Sequence, residues 1–191
     1  MKRNLLILLS ILFIATSINA QSPITGFLGV NLNDKPSVAI GKLKQRFPNV
    51  EWIYPSIHIS DITFIGTNFK ELVISYRDEK LTEAKFSYVT STAAVDSPFI
   101  SQSEFQNDIQ IQQNKLISDV SQIFNSLGTT ICSKYGNPVS STNGNAVWRD
   151  TNFNSIILNA TIESKRGSFG IMFIGNIKII YTTSVSNNNE F

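Results

Sequence analysis

Side chains able to do chemistry are scarce in this chain. His58 is its one histidine and Cys132 its one cysteine. Any hydroxyl or thiol nucleophile activated by an imidazole must therefore use His58. The stretch Ser56-Ile-His-Ile-Ser-Asp61, if extended, puts Ser56, His58 and Ser60 on one side of a strand. A local cluster of that kind is not a triad, and a Cys132–His58 pair needs the fold to join the two. One His and one Cys cannot supply the usual zinc set. Asp78-Glu79 is the one adjacent carboxylate pair, and a hairpin tip accounts for it. No Asp-rich calcium loop and no glycine-rich phosphate loop is present. The expectation is no catalytic set, no metal site and no cofactor. The twenty aromatic residues are the more useful resource. Core packing explains most of them. Trp52, Tyr54, Tyr76 and Trp148 are the candidates for a ligand- or partner-binding surface, facing out from a concave sheet.

The elements that must position these residues are legible from periodicity. Leu116, Val120, Ile123, Phe124, Leu127, Ile131 and Tyr135 recur at helical spacing within Lys115–Tyr135. Gly136 fits a left-handed C-cap and Pro138 stops continuation. Ser101-Gln-Ser-Glu104 is a capping-box pattern that opens this helix early. A first helix is predicted over Lys35–Phe47, with Asp34 as N-cap and Pro36 in the first turn. Between Val50 and Val89 the period is two, with turns at Pro55, at Gly66-Thr67-Asn68 and at Arg77–Lys80: an antiparallel meander. Strands are predicted after Pro138 over 146–149, 155–163, 168–174 and 177–185, with Gly175-Asn176 as a hairpin turn. The fold class is α+β, with two main helices and seven to eight strands.

The first twenty residues carry the pattern of an export signal. Lys2 and Arg3 precede the apolar run 5–15, too short for an ordinary membrane span, and Ile18-Asn19-Ala20 resembles a cleavage site. The expected location is periplasmic or extracellular. Loss of Lys2 and Arg3 with the leader takes the formal charge from +2 to zero. Without a basic excess, nucleic acid is an unfavourable partner, because phosphate neutralisation supplies most of that affinity. No later run is long enough to span a bilayer. A lone cysteine in an exported chain makes no internal disulfide, so the core alone must hold the fold. Cys132 lies beside the helical stripe and is read as a partly buried thiol.

The two halves of the chain resemble each other. Leu43-Lys-Gln-Arg-Phe47 parallels Ile131-Cys-Ser-Lys-Tyr135, each with a tryptophan downstream (Trp52, Trp148). Phe64–Ile74 parallels Trp148–Leu158 and shares the triplet Thr-Asn-Phe. This predicts one helix-plus-meander unit used twice, over residues 21–90 and 104–185. A linker over 91–103 joins them, and a frayed tail follows over 186–191.

A helix ending in Tyr135-Gly-Asn-Pro138, then a loop, a tryptophan strand and further strands, resembles small exported helix-plus-sheet modules. The BamE-type outer-membrane assembly lipoproteins and the tandem-repeat beta-lactamase inhibitor proteins have this pattern. Phe27-Leu-Gly-Val-Asn-Leu32 is similar to the opening segment of uncharacterised envelope proteins of the same build. The chain lacks the lipid-attachment cysteine of the first group and the paired cysteines of the second. Neither family's own activity carries over; the scarcity of reactive side chains favours a non-catalytic module that binds another envelope or extracellular protein through its sheet. A carbohydrate- or lipid-binding module and an envelope hydrolase using His58 are the alternatives.

Overall fold

The computed structural model describes residues 22–184. The signal expected over 1–20 and the tail expected over 186–191 lie outside the described residues. A small hairpin, β1 (Gly26–Phe27) and β2 (Val30–Asn31), leads into α1 (Pro36–Lys44). Four strands follow: β3 (Val50–Ile53), β4 (Ser56–Phe64), β5 (Thr67–Arg77) and β6 (Lys80–Val95). Helix α2 (Gln102–Tyr135) then crosses to β7 (Ser140–Thr142), β8 (Asn145–Arg149), β9 (Ser155–Gly167) and β10 (Gly170–Thr182). The order in the large sheet is β3-β4-β5-β6-β10-β9-β8-β7, with every neighbouring pair antiparallel. This is an α+β fold, mostly sheet. A helix precedes each run of four strands, and the two runs meet through their last members. The edge strands β3 and β7 are the short ones, at four and three residues. Short edges limit strand addition by another chain.

Period-two alternation divides the sheet into two faces. One row of paired residues runs Trp52, Ile57, Ile74, Ala84, Tyr181, Ile156, Trp148. All but Trp52 are buried beneath the helices. The row beside it runs Glu51, His58, Val73, Lys85, Ile180, Ile157, Val147, Ser140, across all eight strands. None of its members is buried. Both helices lie on the first face: α2 packs on β6, β10 and β9, and α1 on β3. Phe27, from the small hairpin, fills the space between with ring contacts to Phe86 and Tyr181.

Helix α2 is 34 residues long, or about 50 Å. Its capping box is complete: Ser101 Oγ accepts from the Glu104 N–H, and the Glu104 carboxylate accepts from the Ser101 N–H. That explains a start at Gln102 rather than Lys115. At the other end Gly136 has φ 82 and ψ −167, so the glycine is needed, but not in the expected left-handed helical conformation. The predicted first helix is shorter than expected. Lys35, not Asp34, is its N-cap residue. The Asp34 carboxylate instead accepts from the Asn31 N–H at 2.8 Å and from Lys42 Nζ at 2.6 Å.

Three further expectations are corrected. The predicted linker 91–103 is taken up from both sides, since β6 runs to Val95 and α2 opens at Gln102. Gly175-Asn176 is not a turn but the middle of β10, and the hairpin falls at Ser168-Phe169 instead. The glycine serves packing: a Cβ there would lie 2.4 Å from Val120 Cγ2 of α2. The shared Thr-Asn-Phe triplet occupies two different settings. Phe69 is buried in β5, whereas Phe153 is 64% exposed in the turn before β9, at φ 63. The apolar positions after the triplet do match, because Leu72, Ile74, Ile156 and Leu158 are all fully buried.

Candidate functional site

Three of the four aromatic residues singled out from the sequence meet at one end of the sheet. Trp52 lies on β3, Tyr54 in the turn after it, and Tyr76 near the end of β5. Their rings touch edge-on: Trp52–Tyr54 at 6.2 Å and 76°, Trp52–Tyr76 at 6.2 Å and 62°. With Pro36, Ser37 and Ile40 of α1, with Pro55, and with Asp78 and Glu79, they line a cleft of about 430 Å³. Trp52 is 41% exposed and Tyr54 85%. Tyr76 is buried, and its hydroxyl finds no hydrogen-bond partner among the described residues. Burial pushes that phenol well above the ordinary tyrosine range, and the negative charge of Asp34 adds to the shift.

The fourth residue, Trp148, is not a surface residue. It is fully buried beneath α2, and its indole N–H donates to the Gly136 carbonyl at 2.9 Å. Trp148 pins the end of α2 to β8 and contributes nothing to a binding surface.

The acidic rim of the cleft is built by a tight hairpin. Asp78 (φ 51) and Glu79 (φ 60) are the two central residues between the paired Arg77 and Lys80. Positive φ at both positions is the type I′ turn, which glycine and asparagine adopt at least cost. Acidic side chains with a Cβ hold both positions here, at some backbone strain. Glu79 is bonded to Lys35 Nζ at 2.6 Å, in an exposed pair that ties the hairpin to the start of α1. Asp78 is in no ion pair among the described residues.

His58 and Cys132 stand on opposite sides of the sheet. His58 is in the uncovered row, half-buried, with Nδ1 3.3 Å from Glu71 Oε1. Cys132 is on α2, packed against the core beneath the other face. Burial pushes its thiol up. The fold therefore does not join them, and no hydroxyl is within hydrogen-bond distance of the imidazole among the described residues. Among those residues there is no group of three His, Cys, Asp or Glu able to hold a metal ion, and no helix long and apolar enough to cross a membrane.

The second candidate surface is the uncovered face itself. Val73, Ile180, Ile157 and Val147 form an apolar band across it, interrupted by Lys85. Val89 and Met172, on the same face, are each nearly half exposed. At one end, β6 and the β9–β10 hairpin frame a groove of about 360 Å³ that includes Val95, Phe169 and Met172. Sequence reasoning named none of these residues. Alternation was visible in each strand, but only the pairing register aligns the apolar members into a band. Comparison with family models, curated proteins and solved structures gave no match.

Proposed function

We propose that the chain is a non-catalytic, exported binding module that recognises another envelope or extracellular protein through the uncovered face of its eight-stranded sheet. The observation that carries this reading is the contrast between the two faces. One is sealed by α2, α1 and the small hairpin. The other, among the described residues, exposes an apolar band flanked by charged and hydroxyl side chains. A contiguous apolar surface with a polar surround is the usual form of a protein-recognition patch. The strand order supports a further step: the two helix-plus-meander units derive from one ancestral unit, in the manner of the tandem inhibitor proteins that the sequence resembles. The cleft at Trp52 supports a second reading, recognition of a small ligand.

The test compares the wild-type chain with Val89→Arg and Met172→Arg. Both sites are exposed on the uncovered face, so each variant should fold. Immobilised protein is exposed to an envelope extract. A specific partner should be retained by the wild type and by a control altered on the helix side (Val38→Arg), and lost from the two face variants. Equal retention by all four proteins would refute recognition through the sheet.

A further inference from the structure

We infer that the cleft between α1, β3 and the β5–β6 hairpin is a binding site for a trimethylammonium group, with Trp52 and Tyr54 as its walls, Tyr76 as its floor and Asp78 as its counter-charge. The site opens on the helix side of the sheet, so it stands or falls independently of the uncovered face.

Ring geometry is the first argument. A sugar is held by flat exposed platforms on which its faces stack. Here the rings stand at 76° and 62° to one another and form a corner. An aromatic corner of this kind offers no flat platform for a sugar, and its exposed ring surface suits a cation with an apolar skin. Exposure is the second argument. Tyr54 is 85% exposed and Trp52 41%, beside a hairpin whose two acidic residues adopt positive φ. Charge is the third. Glu79 is bonded to Lys35, and Asp34, behind Tyr76, to Lys42. Asp78 is left as the lining carboxylate with no basic partner among the described residues. A bare ammonium keeps a tight water shell, whereas methylated nitrogen sheds water readily against aromatic rings. Trimethylammonium is therefore the best-fitting head group, and the cleft of about 430 Å³ has room for it.

The experiment uses the purified chain and its own fluorescence. Trp148 is buried, with its indole bonded to Gly136, so a ligand-dependent change reports Trp52. Choline chloride is titrated at constant ionic strength beside 3,3-dimethylbutan-1-ol, its neutral carbon counterpart. Choline should give a saturable change, and the neutral alcohol should bind at least about tenfold more weakly. Asp78→Asn keeps a residue at ease with positive φ and should weaken choline binding about tenfold. Tyr54→Ala, at a largely exposed position, should weaken it similarly without unfolding the chain. Phosphatidylcholine vesicles form a further arm. Co-sedimentation that Tyr54→Ala abolishes assigns a lipid-borne head group, and binding of free choline alone assigns a soluble one. The inference is overturned if the alcohol binds as tightly as choline, or if Asp78→Asn and Tyr54→Ala leave binding unchanged. It is equally overturned if a soluble oligosaccharide or a lysine peptide binds in place of choline, or if neither choline nor vesicles bind.

Discussion

Gly175→Ala should destabilise the protein, although glycine-to-alanine in a strand is ordinarily favourable. Replacing glycine within a regular element gains about 0.5–1 kcal/mol from lost chain freedom in the unfolded state. At Gly175 the new Cβ would lie 2.4 Å from Val120 Cγ2, 3.2 Å from Thr90 Cγ2 and 3.3 Å from Leu116 Cδ1. Carbon atoms settle at about 3.5–4.0 Å, so the first contact must open by more than about 1 Å. Val120 cannot rotate away easily, because a β-branched side chain in a helix has one strongly preferred rotamer. Helix α2 must lift from the sheet, and overpacking of this kind costs about 1–3 kcal/mol. The net expectation is a loss of about 1–2 kcal/mol, or roughly 3–6 °C in Tm for a chain of this size. Urea and thermal melts measure it. Gly41→Ala in α1, where nothing lies within 4 Å of the new Cβ, is the control and should stabilise by about 0.5–1 kcal/mol. Adding Val120→Ala should relieve the clash, so the double variant loses about 1 kcal/mol less than the two single losses together. The close approach of α2 to β10 is refuted if Gly175→Ala is neutral or stabilising, or if the two losses simply add.

Two other expectations concern the core. Asp150 is buried and accepts from the Ile24, Asn152 and Asn154 N–H groups and from the Asn154 side-chain amide, each at about 3 Å. Asp150→Asn turns one acceptor atom into a donor facing donors and should cost about 2–4 kcal/mol in a urea melt; an unchanged midpoint would refute this role in anchoring Ile24. Burial raises the Tyr181 and Tyr76 phenols above the ordinary value of 10.0, so the folded state holds these protons after the unfolded chain has released them. Stability should then be full below about pH 10 and fall as the pH rises beyond it. Tyr181→Phe should flatten that alkaline arm of Tm against pH, and an unaltered slope would contradict the burial argument.

The α+β class and the main elements were legible because period-two and helical spacing are local properties. The stripe from Leu116 to Tyr135 and the capping box at Ser101 needed no tertiary knowledge. What stayed hidden was set by contacts between distant elements. Gly175 carries the composition of a turn, and only the proximity of Val120 reveals a packing position. Asp34 has the composition of an N-cap, yet Lys42 and the β1–β2 turn hold its carboxylate. The identical Thr-Asn-Phe triplets misled because three residues cannot encode whether a helix will cover them. The cleft was half legible: its aromatic walls were named from their alternation, but Asp78 was taken for a solvated tip. Its closeness to Trp52 comes from β5 pairing with β4, which no local pattern reports.

The two tryptophans show how helix length decides where a surface remains. Trp52 and Trp148 lie at opposite ends of one row of paired residues and point to the same face. Their sequence settings are alike, each downstream of a helix and of a basic–aromatic pair, Arg46-Phe47 in one case and Lys134-Tyr135 in the other. Helix α2 has 34 residues and ends over β8, where Gly136 accepts the Trp148 N–H and seals that side chain in. Helix α1 has nine residues and packs on β3 mainly through Ala39 and Leu43. It is too short to roof Trp52, and the gap becomes the cleft between Ile40, Trp52 and Tyr76. The two tryptophans are not counterparts in the proposed repeat, because Trp52 lies on the first strand after its helix and Trp148 on the second, where it aligns with Phe64; the long helix buries one and the short helix leaves the other open. Trp148→Ala should then cost about 3–5 kcal/mol in a melt, as expected for a buried ring. Trp52→Ala should cost well under half of that, while weakening choline binding followed by calorimetry. Equal losses from the two variants would show that Trp52 serves packing, and that the cleft is only the place where the core ends.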